Sequence, residues 1–372
     1  MKLQNARLQL LKQSVTEISP ETAAQRLSQG TVLLDVRENE EVAKGSPLGA
    51  IRQSRAFLEF QIETKISDSN TPIAVICASG ARSLFVADEL SRMGYSNVSS
   101  VKGGFSAWAE QGFPVETPPM LSDYDRDRYA RHLAIPEVGE EGQQKLLSSR
   151  IALVGAGGLG SPLAYYLAAA GVGTLGLIDD DHIERSNLQR QILHNEGRIG
   201  QFKVDSAAET LLEFNPNIVV NKHKLRLSKD NIDEIFEDYD LIIDGSDNLP
   251  TRYLVNDACV KHQLPLVYGS IFRFEGQISV FWPAGPEEGP CYRCLFPSPP
   301  PSELAPSCAE AGVIGVLPGV VGTLMATEAL KILLEMGEPL TGKLLTYDAL
   351  TSSFSTLKIP ADPECELCRK AC

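Results

Sequence analysis

Short apolar runs and amphipathic stretches alternate along most of this 372-residue chain, and two periods account for the alternation. TVLLDVR (31–37) and PIAVICAS (72–79) are continuous apolar runs of strand length, the pattern of strands buried on both faces of a parallel sheet. ETAAQRLSQG and RSLFVADELSRMG carry apolar residues at helical spacing and end in glycine, a common helix stop. GFPVETPPMLSD (112–123) has three prolines and no period, and predicts a joint. We therefore expect a first domain over residues 1–115, a linker over 116–123 and a second domain over 124–372.

The second domain is predicted to open with a helix, SDYDRDRYARHL, capped by Ser122 or Asp123. Strand IALVG (151–155), a helix from about Gly158 to Ala170 and strand TLGLID (174–179) follow. KVDSAAETLLEFN, IVVNKH, KDNIDEIFED and DLIIDGSD continue the helix–strand alternation, which predicts a doubly wound parallel sheet. After Pro265 the texture turns β-rich in LVYGSIF and GQISVFW. A helix, PGVVGTLMATEALKILLEM, and strands KLLTYDAL and SSFSTLKI close the chain. The fold class is α/β in both halves, with a mixed or antiparallel extension of the second.

A hydrophobic content of 43% and a charged content of 22% suit a globular protein with room for two cores. The net charge of -14 argues against nucleic acid or an anionic membrane as the main partner. The N-terminus lacks a signal-peptide core, and the longest apolar candidate, Val313–Met325, is broken by Gly and Pro. Eight cysteines in a chain read as cytoplasmic point to metal and thiol chemistry, not disulfides.

Four of those cysteines form two CxxC pairs, Cys291/Cys294 and Cys365/Cys368. Two residues between thiolates let one tight turn present both sulfurs to one ion, so the set has the spacing of a tetrahedral zinc site built from four cysteines. No His or carboxylate completes the set, so the zinc is expected to be structural. The alternatives are four unrelated reduced thiols, or a redox pair, although neither CxxC opens a helix after a strand.

IALVGAGGLGS places Gly155, Gly157, Gly158 and Gly160 between a buried strand and a helix, with Asp179 ending the next strand. Glycine lets backbone approach a ligand phosphate, the helix N-terminus supplies N–H groups, and the acid suits a ribose hydroxyl. That much fits any nucleotide, NAD included. Asp180, Asp181, Asn187, Gln189, Arg190, Lys203, Asp247 and Asn248 shift the balance. Cations at Arg190 and Lys203, with a carboxylate able to hold magnesium, fit a triphosphate better than a nicotinamide dinucleotide.

These residues, together with GQISVF, CYRC, CAEAGV (308–313) and the closing CELC, resemble the MoeB/ThiF family of ubiquitin-activating-type adenylyltransferases, most closely the molybdopterin-synthase adenylyltransferase branch. The resemblance runs from about Leu121 to the C-terminus. It implies ATP-Mg binding and activation of the C-terminal Gly-Gly carboxylate of a small ubiquitin-fold sulfur carrier as an acyl-adenylate. It also implies Gly158 and Asp179 at the nucleotide, with Asp179 on the ribose. Asn187, Arg190 and Lys203 would grip the phosphates within a binding run that includes Ser186, Leu188 and Gln189, and Asp247 would hold magnesium beside Asn248. Arg131, in RYARHL, resembles an arginine that reaches a partner subunit's site, which implies a homodimer. Cys308, after the proline-crowded stretch Pro297–Pro306, matches the family's loop cysteine, which carries a carrier thioester in some members and is dispensable in others, so a catalytic and an incidental thiol both stay open. Cys259 is expected to be a packing thiol, and Cys372 a spare one.

In the first domain, PIAVICASGARSLFVADEL sets a strand, Cys77, a glycine, Arg82-Ser83 and a helix in sequence. With LLDVRENEE (33–41), which includes Asp35 and Arg37, and VKGGFSAWAEQGFPV (101–115), it resembles a rhodanese over about Ile18–Val115. A loop folded over a helix N-terminus aims backbone N–H groups at Cys77 and stabilises a thiolate or persulfide anion, and Arg82 adds positive charge. A Cys-Arg phosphatase is the rival reading, but its loop in this fold holds one more residue before the arginine. The family's usual GHIPGA is GSPLGA here, with Ser46 in the histidine position. Related fused enzymes carry the sulfurtransferase after the adenylation domain, whereas here it comes first.

The combined reading is adenylation of a sulfur carrier followed by sulfur transfer from a Cys77 persulfide to give a thiocarboxylate. The alternatives are an NAD-dependent oxidoreductase and a non-catalytic nucleotide-binding module. The carrier itself (molybdopterin, thiamine, tRNA thiolation or secondary metabolism) is not named by the sequence.

Overall fold

The structure is a computed structural model that describes residues 2–117, 121–286, 288–299 and 312–369. The chain divides into two compact units, Met1–Ser122 and Asp123–Cys372.

The strands of the first unit are β1 (Thr16–Ile18), β2 (Val32–Asp35), β3 (Ser46–Pro47), β4 (Ile51–Arg52), β5 (Ile73–Ile76), β6 (Val98–Val101) and β7 (Val115–Glu116). Five of them pair in the order β1-β6-β5-β2-β4, all parallel. Successive residues of the central strands enter opposite cores. Leu34 and Val75 pack with Val86 and Leu90 on one face, and Leu33, Ala74 and Ile76 pack with Trp108 on the other. The helix Ala81–Met93 ends on Gly94 at φ 108°, as its glycine predicts. The expected linker begins later than its prolines suggest. β7 pairs with β3, and the Pro114 carbonyl accepts from Leu48 N and Trp108 Nε1, so residues 114–116 belong to this unit.

The second unit contains β8 (Arg150–Val154), β9 (Thr174–Ile178), β10 (Val219–His223), β11 (Leu241–Asp244), β12 (Leu266–Phe272), β13 (Glu275–Phe281), β14 (Lys343–Asp348) and β15 (Ser353–Lys358). They form an eight-stranded sheet in the order β10-β9-β8-β11-β12-β13-β14-β15. The first five strands are parallel and the remainder antiparallel, the doubly wound sheet with its extension. The chain winds outward from β8 in one direction and from β11 in the other, so a crevice opens where the loops after β8 and β11 diverge. Ile151 and Leu153 face one core, and Ala152 and Val154 the other.

Two expectations change. The opening helix is split into Asp123–Arg128 and Ala130–Leu133 at Tyr129, whose buried ring is anchored through its hydroxyl by Asn215 Nδ2 at 3.1 Å. The helix expected from PGVVGTLMATEALKILLEM is present as Leu317–Leu334, but its glycines and proline do not break it, and it is long and apolar enough by composition to cross a membrane. Val321, Met325 and Ala329 on it are fully buried in the core that also holds Leu163 and Val267, the environment of a central helix of a folded domain.

Candidate functional site

A cavity of about 490 Å³ occupies the crevice between the loops after β8 and β11. Gly158, Asp179, Arg190, Lys203, Asp247 and Asn248 all line it. The helix Gly160–Ala170 starts directly after the glycine-rich turn. Gly155 takes φ 95°, and a Cβ there would approach the Gly245 carbonyl at 3.2 Å, so glycine lets the two loops close on each other.

Asp179 ties this turn to β9. Its Oδ2 accepts from Ala156 N at 2.9 Å and its Oδ1 from Asp181 N at 2.8 Å. Burial raises its pKa, and the Lys203 charge and the two N–H groups oppose that shift. Lys203 is 7% exposed, with Nζ 2.7 Å from Asp181 Oδ2, so a buried ammonium is held at the cavity wall by an exposed acid. Arg190 donates through Nη1 to the Ser186 carbonyl at 3.1 Å.

Asp247 is exposed at the rim. Asn248 caps the helix Leu249–Lys261, its Oδ1 accepting from Thr251 N at 3.0 Å. Beneath them lie two charges that sequence reasoning missed. Asp244, 1% exposed, accepts from Ser246 N at 2.8 Å, and Arg252 donates to the Ser246 carbonyl at 2.8 Å and to the Tyr268 hydroxyl at 2.9 Å. Burial raises the pKa of Asp244, while Arg252 pulls against the shift. This pair grips both polar groups of the Ser246 backbone and so fixes the loop that carries Asp247.

The remaining members of the expected nucleotide run do not line the cavity. Asn187 Oδ1 accepts from Glu184 N at 3.0 Å, Ser186 Oγ donates to Glu184 Oε2 at 3.2 Å, and Leu188 ends the same short turn. Gln189 packs where Gly315 passes, so closely that a Cβ on Gly315 would strike its carbonyl. Ser186, Asn187 and Leu188 shape the turn that presents Arg190. Arg131 sits exposed in the helix Ala130–Leu133, away from the cavity wall. Cys308 and Cys372 lie outside the described residues. Cys259 is buried among apolar side chains, which pushes its thiol well up.

His194 was also missed. It is buried, with Nε2 3.0 Å from the Ala156 carbonyl and Nδ1 3.0 Å from Ser206 Oγ, and it props the glycine-rich turn from behind. Only Nε2–H can donate to that carbonyl, so a neutral ring with Nδ1 accepting from the hydroxyl satisfies both contacts. Burial lowers its pKa, and His223 is lowered by the same cause. For a base whose folded pKa is depressed, the stabilisation is complete above the unfolded value near 6.5 and is lost as pH falls through the folded one. The melting temperature of the second unit should therefore fall as the pH drops below about 6.5, and His194→Gln should flatten part of that slope. An unchanged slope in the variant refutes this assignment.

The four CxxC sulfurs converge. Cys291 Sγ lies 3.8 Å from Cys294 Sγ and 3.7 Å from Cys365 Sγ, and Cys294 Sγ lies 3.6 Å from Cys368 Sγ. A tetrahedron of sulfurs about 2.3 Å from a zinc ion has edges of about 3.8 Å, so the donor set fits. Burial and mutual repulsion push the Cys368 thiol up to about 12 and Cys291 higher still, while at Cys365 burial is outweighed by the backbone N–H groups of Cys368 and Leu367, which hold it lower, so Cys291 and Cys368 need a cation to ionise. The first knuckle is tied to the helix Leu249–Lys261 through Arg293 to Asp257, with two bonds of 2.7 Å, and through Tyr292 N to Asn256 Oδ1 at 2.8 Å.

In the first unit Cys77 follows β5 and is buried. Gly80, at φ 90°, turns its N–H toward Cys77 Sγ at 3.2 Å and starts the helix Ala81–Met93. Ser83 Oγ lies 3.4 Å from the sulfur and accepts from Ser100 Oγ at 2.8 Å. Gly104, at φ 59°, presses the 101–104 turn onto the loop so closely that a Cβ would strike the Cys77 carbonyl. Ser46 donates to Asp35 Oδ2 at 2.9 Å, and Asp35 also pairs with Arg37, so the residue standing where the family has histidine is buried in the scaffold behind the loop.

The profile of the ThiF family matches residues 129–367, and that of the rhodanese-like domain residues 19–111. A sulfur carrier protein adenylyltransferase of Thermus thermophilus is 52% identical over 244 residues, covering 65% of this chain and 90% of its own. The chain belongs to the ThiF family. A SAMP-activating enzyme of Haloferax volcanii is 50% identical over 65% of this chain and 88% of its own length. The probable adenylyltransferase/sulfurtransferase MoeZ of Mycobacterium tuberculosis is 50% identical over 67% of this chain, and this chain spans only 64% of MoeZ. The structure of E. coli MccB with ATP superimposes with a TM-score of 0.55 over 66% of this chain and 75% of its own, at 22% identity, a likeness of fold. This ThiF-family chain therefore carries its rhodanese-like domain at the N-terminal side of its adenylation fold.

Proposed function

We propose that this enzyme adenylates the C-terminal glycine of a small ubiquitin-fold sulfur carrier and delivers sulfur to it from a persulfide on Cys77. The observation that carries the reading is one cavity that gathers a glycine-rich turn, the cations Arg190 and Lys203 and the exposed acid Asp247, in a chain that also turns the Gly80 N–H onto a buried thiol at a helix start. ATP is held with its phosphates against the turn and the two cations. The carrier carboxylate attacks the α-phosphorus, the bond to the bridging oxygen breaks, and pyrophosphate leaves. Arg190 and Lys203 stabilise the charge that builds on the phosphates. A magnesium ion, when bound, would neutralise phosphate charge, with Asp247 as its protein ligand.

The terminal sulfur of the Cys77 persulfide then attacks the acyl carbon and AMP departs, leaving an acyl disulfide. One reductant thiol attacks the Cys77 sulfur of that disulfide and releases the carrier thiocarboxylate, leaving a mixed disulfide, and a second thiol frees Cys77 and departs with the first as their disulfide. Arg131, exposed and off its own cavity wall, acts across a homodimer in this reading. The test is ATP–pyrophosphate exchange dependent on a Gly-Gly-tailed carrier, followed by mass spectrometry of that carrier for oxygen-to-sulfur replacement. Exchange that ignores the carrier, or NAD binding in preference to ATP-Mg, overturns the proposal.

The cluster of four cysteines is proposed as a structural zinc site. One zinc per chain should be found by metal analysis, and Cys365→Ser with Cys368→Ser should lose it and lower the melting temperature of the second unit. Because the first knuckle is fastened to the helix that Asn248 caps, pyrophosphate exchange should weaken as a secondary effect. Full zinc content in the double variant refutes the ligand set.

A further inference from the structure

Two arginines of this unit, Arg37 and Arg82, are already engaged, and Arg82 directly follows the Cys77 loop. Arg37 is 4% exposed and is taken up by Asp35, the Gly45 carbonyl and the face of Phe105, 3.8 Å from its ring centre. Arg82, inside the first turn after the loop, is met by Glu41 in a two-bond fork, Nη1 to Oε2 at 2.7 Å and Nη2 to Oε1 at 2.5 Å. The fork is built in advance. Glu41 lies in the short helix Asn39–Val42, and its Oε2 also accepts from Glu38 N at 3.3 Å in a reciprocal capping box. Glu38 is in turn held by Ser54 Oγ at 2.8 Å. The Glu41 carboxylate is accordingly pulled below its ordinary range by Arg82.

A guanidinium left open would attract small anions in the plane of its fork, and a carboxylate occupying that fork removes both the charge and the geometry. We propose that Glu41 determines which sulfur donor Cys77 accepts, disfavouring dianionic thiosulfate and leaving thiol persulfides as the preferred source. The inference rests on the sulfurtransfer reading of Cys77. With thiosulfate, the Cys77 thiolate attacks the outer sulfur, the S–S bond breaks, and sulfite leaves with the bonding electrons and both negative charges, in the field of Arg82, whose charge acts on Cys77. With a thiol persulfide, the same attack on the terminal sulfur releases only a thiol or thiolate.

The experiment compares the full-length protein, Glu41→Gln, and Glu41→Gln combined with Arg82→Gln, with thiosulfate or cysteine persulfide as donor. Persulfide on Cys77 is read by mass spectrometry, and KM and kcat are measured separately. Glu41→Gln keeps the cap acceptor and should lower the thiosulfate KM about tenfold at low salt, with the gain fading at high salt, as expected of one uncovered charge. The cysteine persulfide KM should change far less. The double variant, again without net charge at that pair, should return to the wild-type donor ratio. Equal changes for both donors, or a double variant that keeps the thiosulfate gain, overturns the proposal. If Cys77 loads from neither donor in the wild type, the underlying sulfurtransfer reading falls and takes this inference with it, whereas loading with an unaltered donor ratio defeats the role of Glu41 alone.

Discussion

Asp247→Ala should cut carrier-dependent pyrophosphate exchange by at least roughly 10²–10³-fold, the loss seen when one charge-stabilising group is removed from a preorganised site. The structure gives the reason for expecting a large effect with little change in stability. Asp247 is exposed at the cavity rim, while the loop beneath it is fixed by other residues: Asp244 on Ser246 N, Arg252 on the Ser246 carbonyl and Asn248 on the following helix. Removing the Asp247 carboxylate leaves all of those bonds in place. Melting temperature should hold while exchange collapses, and ATP should still bind through the glycine-rich turn and the two cations. Rising magnesium should not restore the rate. Mixing the Asp247→Ala chain with an Arg131→Ala chain should recover part of the activity if the arginine serves a second copy. Exchange at the wild-type rate in Asp247→Ala removes Asp247 from the chemistry.

Much of this site was legible because its parts lie in contiguous stretches with a local period. The glycine turn sits between a run of buried β-residues and a helix, and Cys77 between another such run and a glycine that starts a helix. Two CxxC pairs announce themselves by spacing alone, whatever the 74-residue separation that the fold must close. What escaped the sequence depends on contacts across the fold. Asp244 ends an apolar strand and Arg252 lies inside a helix, positions that look like an ordinary strand end and a solvated helix face. Only the packing of β11 against the helix Leu249–Lys261 buries them under Ser246. His194 has no motif around it, and its function follows from the Ala156 carbonyl, 38 positions away. Asn187 adds a contact that its place in a family motif does not announce: its side-chain oxygen accepts from Glu184 N and holds the turn that carries Arg190. The pairing of Arg82 with Glu41 was likewise hidden, because a capping box just after Arg37 gives no sign of which cation it will face.

Cys77→Ala should leave pyrophosphate exchange intact and abolish thiocarboxylate formation. The two chemistries lie in separate compact units, and Cys77 contributes no group to the nucleotide cavity. Adenylation needs only ATP, the carrier tail and the second unit, so acyl-adenylate should accumulate in the variant and be captured by added hydroxylamine. Sulfur transfer needs an atom that can be both attacked and released, and alanine offers none. The cradle itself should survive, because its backbone bonds, from Phe105 N to the Cys77 carbonyl at 2.7 Å and from Ser106 N to the Ala78 carbonyl at 3.0 Å, do not involve the thiol. Ser83 and Ser100 would keep their mutual bond behind the loop. The loss should therefore be specific: no persulfide on the protein from any donor, no thiosulfate-to-cyanide transfer, and a carrier whose mass stays that of the carboxylate. If Cys77→Ala yields thiocarboxylated carrier at the wild-type rate with a persulfide donor as the sole sulfur source, the donor sulfur reaches the adenylate without this domain. The thiol cradle would then serve a different acceptor.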